Sequence, residues 1–331
     1  MDLQGLKILV TGGTGFIGAS LVKTLLGAGA VVRSFDNDSR GSRERLAPML
    51  GQVDLRHGDI RDPDSVEAAA EGVDAVCHLA FVNGTEFFYS QPELVLDVGV
   101  KGITNVLDAC RTHRIRRFIL ASSSEVYQSP AIIPTPEEVP LVVPDPLNAR
   151  YSYGGGKIIS ELMAVNYGRS LFDELFIFRP HNVYGPFMGW EHVIPQFALR
   201  MAQLVAAQPH GPLQFSIQGT GEETRAFCYI DDFAAGFLGM LRGPSGIYNI
   251  GTDVETSIRE LVKLVAGCFG REVVITPGPL QAGSTKRRCP DITKLRALGF
   301  TPRVELSPGV RSTVEWYRQN AWRAPATEGE S

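Results

Sequence analysis

Tyr153 and Lys157 stand four residues apart in Tyr151-Ser152-Tyr153-Gly154-Gly155-Gly156-Lys157, at the head of an apolar stretch that reaches residue 170. On a helix that spacing puts both side chains on one face. A phenol with a pKa of about 10 is a poor base at neutral pH, and each unit of depression needs about 1.4 kcal/mol of favourable charge interaction. A neighbouring ammonium supplies such an interaction, so the pair reads as a base able to take a proton from an alcohol. Upstream, the apolar run Phe118-Ile119-Leu120-Ala121 ends in Ser122-Ser123-Ser124-Glu125-Val126-Tyr127. A hydroxyl from Ser122, Ser123 or Ser124 can hold a developing oxyanion, and Glu125 adds a carboxylate. Glycines 154–156 would each cost about 1 kcal/mol relative to alanine inside a helix. Close approach of a bound molecule accounts for them, as does a bulge or loop.

A second motif supplies a place for the electrons. Leu6–Val10 is an apolar run of strand length, followed by Thr11-Gly12-Gly13-Thr14-Gly15-Phe16-Ile17-Gly18, a helical stretch to Leu26, and a second run, 31–35, that ends at Asp36. Strand, glycine-rich turn, helix, strand and acid form the context of a dinucleotide-binding fingerprint. Gly12 permits the tight turn, Gly15 lets the backbone approach a pyrophosphate, and Gly18 lets the helix pack close to the sheet. The amides of the helix N-terminus then face the diphosphate. A carboxylate at Asp36 can accept both adenosine ribose hydroxyls and repels a 2′-phosphate, which favours NAD over NADP even with Arg33, Arg40 and Arg43 nearby. An oxidised nicotinamide would favour the Tyr153 phenolate as well, so proton and hydride could leave one sugar carbinol together.

The elements that must position these residues follow from the pattern. Strands are expected at 6–10, 31–35, 53–56, 74–79, 117–121, 175–179 and 246–250, and helices at 16–27, 64–71, 92–113, 153–170 and 231–241. This alternation gives an α/β fold, a Rossmann-type doubly wound parallel sheet with ligands at the carboxyl ends of its strands. From about 181 the prolines at 186, 195, 209 and 212 break the pattern into shorter pieces. The expected division is a dinucleotide-binding domain of 1–180 plus about 229–252, a smaller discontinuous α/β lobe of about 181–228 plus 253–322, and a disordered tail over 323–331.

Composition limits the remaining possibilities. The 331 residues carry a net charge of −4, which gives no basis for a nucleic acid or an anionic membrane as partner. Lys286-Arg287-Arg288 is too short for a polyanion-binding tail and suits a phosphate-bearing small molecule. The five cysteines are scattered, with no CxxC and no metal-binding spacing, so they read as thiols of a reducing compartment. With no leader ahead of the first strand and no membrane-spanning run, the expected location is the cytoplasm.

To about residue 320 the chain resembles the extended short-chain dehydrogenase/reductase superfamily, specifically its NAD-dependent nucleotide-sugar epimerase/dehydratase group. The resemblance rests on residues 11–18, Asp36-Asn37, Gly58-Asp59-Ile60, His78-Leu79-Ala80, Ser122–Tyr127, and Tyr153…Lys157…Glu161. It continues in Arg179-Pro180-His181-Asn182-Val183-Tyr184-Gly185-Pro186, Gly219-Thr220-Gly221…Arg225…Tyr229-Ile230-Asp231-Asp232, Asn249-Ile250-Gly251 and Arg288-Cys289-Pro290-Asp291. It implies that Asp59 and Ile60 flank the adenine, that Leu79 and Ala80 line the dinucleotide channel, and that Pro180 sits by the nicotinamide. Phe16, Ile17, Asn37, Ser122 and Val183 are implied cofactor contacts. Ser124, Asn182, Val193, Arg225 and Arg288 are implied contacts of a nucleotide-diphosphate sugar, with guanidinium forks on the diphosphate. Segments 81–91 and 187–193 would reach the sugar. Two positions depart from the pattern: Gly99 stands where the group commonly has asparagine, and Gly156 where a small hydroxyl residue precedes the lysine.

Members of the group begin by oxidising a sugar carbon, usually C4. Ser124 stands where the familiar 4,6-dehydratases have an aspartic acid, which disfavours loss of water. The leading expectation is therefore a 4-epimerase that works through a transient 4-keto sugar. Glu125 keeps open the alternatives of a dehydratase, decarboxylase or 3,5-epimerase. A nucleotide-sugar dehydrogenase and, more remotely, a non-catalytic dinucleotide sensor complete the range. Apolar residues on several sides of 92–113 and 153–170 suit a homodimer built on an intersubunit four-helix bundle.

Overall fold

The computed structural model describes residues 1–280 and 283–325. Its seven-stranded sheet contains β1 (Lys7–Thr11), β2 (Val31–Asp36), β3 (Val53–His57), β4 (Ala75–His78), β5 (Arg117–Ala121), β6 (Glu174–Pro180) and β7 (Gly246–Ile250). The order is β7-β6-β5-β4-β1-β2-β3, and every pairing is parallel. This is the doubly wound arrangement expected from the alternating pattern, each strand lying within a residue or two of its expected place. The connecting helices are α1 (Phe16–Gly27), α2 (Pro63–Ala70), α3 (Thr85–Ser90), α4 (Pro92–Thr112), α5 (Tyr151–Leu171), α6 (Val193–Ala207) and α7 (Ile230–Arg242). They are followed by α8 (Ile258–Gly267), the single turn α9 (Thr293–Arg296) and α10 (Leu306–Gln319).

Alternate strand side chains build two cores, one on each face of the sheet. Ile8 and Val10 meet Leu21, Val22 and Leu25 of α1 and Phe233 and Phe237 of α7. Leu9, Val76, Phe118 and Leu120 meet Val66 of α2, Ile103 and Val106 of α4 and Ala164 of α5. A third core joins Phe197 and Met201 of α6, Leu261 and Val265 of α8, and Val310 and Val314 of α10 around Phe215. The chain enters this third layer after β6, returns to the sheet through α7 and β7, and leaves it again. Two glycines fix the first turn. Gly12 has a φ of +74°, and a Cβ there would lie 2.8 Å from the Ala80 amide nitrogen. A Cβ on Gly18 would collide with the Gly12 carbonyl, so α1 can approach β1 only because that side chain is absent.

Arg323, the first residue of the expected tail, is part of ordered structure. Ala321–Arg323 form a helical turn, and Arg323 pairs with Glu44. Residues 326–331 of that tail lie outside the described residues. Among the described residues no helix is long and apolar enough to cross a membrane.

Two buried imidazoles make stability depend on pH. His78 at the end of β4 has Nδ1 2.8 Å from Thr11 Oγ1, and His181 has Nε2 3.2 Å from Asn249 Oδ1. Burial pushes both down to about 3, with cations adding to the effect: Lys157 near His78, Arg288 and Arg179 near His181. Unfolded, each imidazole takes up a proton near pH 6.5; folded, it stays neutral until far lower pH. Their contribution is therefore complete above about pH 6.5 and is lost as the pH falls toward 3, at about 1.4 kcal/mol per pH unit per histidine. Urea midpoints at pH 7 and pH 5 are expected to differ less for His78→Gln than for the parent. An equal difference in both proteins would contradict this account.

Candidate active site

Tyr153 and Lys157 lie on the first turns of α5, whose N-terminal end reaches the carboxyl edge of the sheet. The helix runs unbroken through glycines 154–156, so these form neither a bulge nor a loop. The protein's own packing accounts for two of the three, Gly154 and Gly156. A Cβ on Gly154 would lie 2.6 Å from Gln128 Nε2 and 2.9 Å from the Glu125 carbonyl oxygen. A Cβ on Gly156 would lie 2.9 Å from Phe81 Cζ, and Gly155 faces Val143.

The Tyr153 ring is buried between Phe88, stacked at 4.9 Å, and Phe81, edge-on at 5.1 Å. Its hydroxyl shares a hydrogen bond with Ser123. Burial raises the phenol well above its usual range, and Ser123 opposes this only in part. Lys157 Nζ donates to the Ala121 carbonyl at 2.8 Å and lies 4.1 Å from the centroid of the Phe81 ring. Burial lowers this ammonium to about 7, against the opposing charge of Glu161. The expected phenolate draws on both the lysine ammonium and an oxidised nicotinamide; in the chain by itself burial keeps the phenol protonated, and the ammonium's hydrogen bond goes to strand β5.

Beneath this pair lies a buried polar network. Ser122 donates from its hydroxyl to Glu161, and Arg179 donates to both Glu161 oxygens, at 2.8 and 2.6 Å. Arg179 Nη1 also donates to Tyr127 Oη at 2.7 Å and to the Glu137 carbonyl at 2.8 Å. The network fixes the end of β5, from which Ser123 and Ser124 enter the cavity.

Glu125 Oε1 accepts from Arg288 Nη1 at 2.7 Å, and Arg150 lies 4.0 Å away. Burial pushes this carboxyl up, but Arg288, Arg150 and Arg225 together hold it below the ordinary carboxylate range. Arg225 itself is lowered to about 10 by burial and by repulsion from Arg288 and Arg150. Three guanidinium groups thus face one carboxylate, and Nε of Arg150 and of Arg288 are buried without a partner. That surplus of charge and of free donors suits a polyanion. Arg150 was not among the expected residues. No motif marks it; it reaches the site because it directly precedes α5.

A cavity of about 500 Å³ joins this end to the glycine turn. Gly12, Gly15, Phe16, Ile17, Gly18, Asp36, Asn37, Asp59, Ile60, Leu79, Ala80, Pro180 and Val183 line it together with Ser122, Ser123, Ser124, Glu125, Tyr153, Lys157, Asn182, Arg225 and Arg288. Val193 does not. It is the first residue of α6 and packs against the third core, while its neighbours Glu191 and His192 face the cavity. Arg40 pairs with Glu191 and lies 4.4 Å from the Phe87 ring centroid, so a cation from the segment after β2 also reaches the site.

The other end of the cavity fits NAD. The Asp36 carboxylate accepts from the amides of Thr14 and Asp38, both at 2.9 Å, which holds it at the cavity wall with lone pairs to spare for a ribose diol. Among the described residues no side chain caps α1 and its first turn holds no acid, so its amides face the cavity ready for an anion. Asp59, held down to about 2 chiefly by its hydrogen bond from Arg61, accepts from Asn37 at 3.1 Å on the same side.

The family model of the NAD dependent epimerase/dehydratase family matches residues 8–251. A UDP-glucose 4-epimerase of Mycolicibacterium smegmatis is 32% identical over 325 residues, covering 96% of this chain and 100% of that protein. UDP-glucuronic acid decarboxylase 2 of Arabidopsis thaliana is 31% identical over 327 residues, covering 96% of this chain and 70% of that protein. Among solved structures, a dTDP-glucose 4,6-dehydratase from Streptomyces venezuelae with NAD and TYD bound superposes with a TM-score of 0.83 at 30% identity, covering 96% of this chain and 98% of that one. With the glycine turn, the Asp36 strand end and the Tyr153–Lys157 pair gathered around one cavity, and the family model spanning most of the sheet, the chain belongs to the NAD-dependent epimerase/dehydratase family, with NAD as its cofactor.

Proposed function

We propose that the chain is a nucleotide-sugar 4-epimerase. The observation that carries this reading is the engagement of Glu125 by Arg288 at 2.7 Å, which holds the carboxylate ionised and weakly basic. Dehydration, decarboxylation or 3,5-epimerisation would ask Glu125 to take a proton beside the ketone, and a clamped carboxylate of lowered pKa is poor at that. Ser124 offers no acid for a departing hydroxyl. Epimerisation needs neither group: it uses the Tyr153–Ser123 pair twice.

NAD, when bound, supplies the acceptor and donor of the C4 hydrogen. Tyr153 takes the proton of the C4 hydroxyl, Ser123 donates to the oxygen as it becomes a ketone, and Lys157 holds the end of β5 that carries Ser123. Arg225, Arg288 and Arg150 hold the diphosphate, about which the keto sugar turns to present its other face. Tyr153 then returns the proton to the same oxygen. The exposed apolar residues Ile159, Leu162 and Val165 of α5 and Leu96 of α4 support a homodimer on this helix pair, which light scattering would test as twice the chain mass.

The deciding experiment incubates the chain and NAD with UDP-, GDP-, dTDP- and CDP-sugars and follows the products by NMR. A product of unchanged mass inverted at C4 is expected, and loss of water or carbon dioxide would overturn the reading. Glu125→Gln is expected to lower kcat less than about 10-fold; a loss of 100-fold or more, the scale of an essential general base, would make Glu125 the base of a different reaction.

A further inference from the structure

We infer that Phe81 is a positioning residue for the Tyr153–Lys157 pair, its ring admitted between α4 and α5 by Gly99 and Gly156 to cover the lysine ammonium with an aromatic face. The inference rests on the reading of that pair as the reacting one. Phe81 directly follows the cavity-lining Leu79 and Ala80 beyond β4. A Cβ on Gly99 would collide with its ring, and one on Gly156 would lie 2.9 Å from Cζ, so neither helix has room for even a methyl group at these points. Gly99 of α4 and Gly156 of α5 therefore face the same ring.

This exchange changes the surroundings of Lys157. An ammonium has three protons to place. One goes to the Ala121 carbonyl at 2.8 Å, and the Phe81 ring, 4.1 Å from Nζ to its centroid, receives the charge by a cation–π interaction. The edge of the same ring meets Tyr153 at 5.1 Å, while Phe88 stacks on Tyr153 at 4.9 Å. Base and ammonium are thus oriented by one ring on an apolar wall. Oxidation of the alcohol carbon sends its proton to Tyr153 and its hydrogen, with two electrons, to NAD; reduction returns all of them to the same carbon and oxygen.

The test compares Phe81→Leu, which keeps the apolar bulk without the aromatic face, with Gly99→Ala, which keeps the ring but displaces it from the ammonium. The ¹⁵N resonance of Lys157 Nζ, assigned by its loss in Lys157→Met, is followed against pH in the purified chain, and kcat and KM are measured for the sugar nucleotide. Phe81→Leu is expected to move the Nζ midpoint down by at least about half a pH unit, on the scale of one lost cation–π contact, and to cut kcat about 10-fold with KM unchanged. Gly99→Ala should reproduce both changes. An unmoved midpoint in Phe81→Leu or in Gly99→Ala would overturn the inference. A chain that inverts no sugar at C4 overturns the epimerase reading instead, and the Nζ midpoint still decides the role of Phe81.

Discussion

Tyr153→Phe is expected to lower C4 interconversion by about 100- to 10,000-fold, the span of a lost general acid–base group. The substitution removes one oxygen and leaves the ring between Phe81 and Phe88, so the packing that holds α3 and α4 near the site is preserved. KM for the sugar nucleotide should change little, because Arg150, Arg225 and Arg288, the proposed diphosphate contacts, are untouched. Thermal stability should also stay near the parent's. Burial keeps the phenol protonated in the ligand-free chain, so no phenolate should be seen there at neutral pH. The positive charge of oxidised NAD is expected to lower it further, adding to the Ser123 hydrogen bond. Turnover like the parent's would remove Tyr153 from the reaction and revive the dinucleotide-sensing alternative.

Arg179→Met is expected to destabilise the fold by about 3–5 kcal/mol, the scale set by breaking a buried ion pair from one side. Arg179 and Glu161 have side-chain exposures of 2% and 5%, and their closest contact is 2.6 Å. Methionine would leave the Glu161 carboxylate buried with only the Ser122 hydroxyl, while Tyr127 Oη and the Glu137 carbonyl lose a donor. Glu161→Gln should cost less, since an amide oxygen can still accept from the guanidinium. The double variant Arg179→Met/Glu161→Leu should recover much of the loss, because removal of both charges leaves neither stranded. Urea midpoints of the four proteins test this, and an Arg179→Met cost below 1 kcal/mol would refute it. Because Ser122 is tied to this pair, the single variants should also loosen the strand end that carries Ser123, and activity should fall with stability.

Much of this was legible in the residues. Strand length, apolar runs and the glycine turn placed the sheet and the dinucleotide end, because parallel strands buried on both faces leave an uninterrupted apolar signal. The misreadings have physical causes. Helix α6 was not expected, since Pro195 suggested a break; proline is tolerated in the first turn of a helix, where its missing N–H has no intrahelical partner to lose. The same helix start turns Val193 into the core and leaves His192 to the cavity. Arg150 carries no spacing that sequence could reveal, and Phe81 stood only as the first residue of the segment expected to reach the sugar, with nothing to mark its place over Lys157. The glycines of α5 were visible as a cost, but only the coordinates show that Gln128, the Glu125 carbonyl and the Phe81 ring occupy the space a side chain would need.

The twofold passage of the chain out of the sheet and back bears on any attempt to graft specificity. Residues between β6 and α7 and those beyond β7 share one apolar interior, in which Phe215 meets Leu261 and Val310. A chimera that exchanges one stretch without the other would set unrelated side chains against each other inside that interior. Transplants between relatives must therefore move both stretches together, keeping α7 and β7 as the recipient's own staple through the middle.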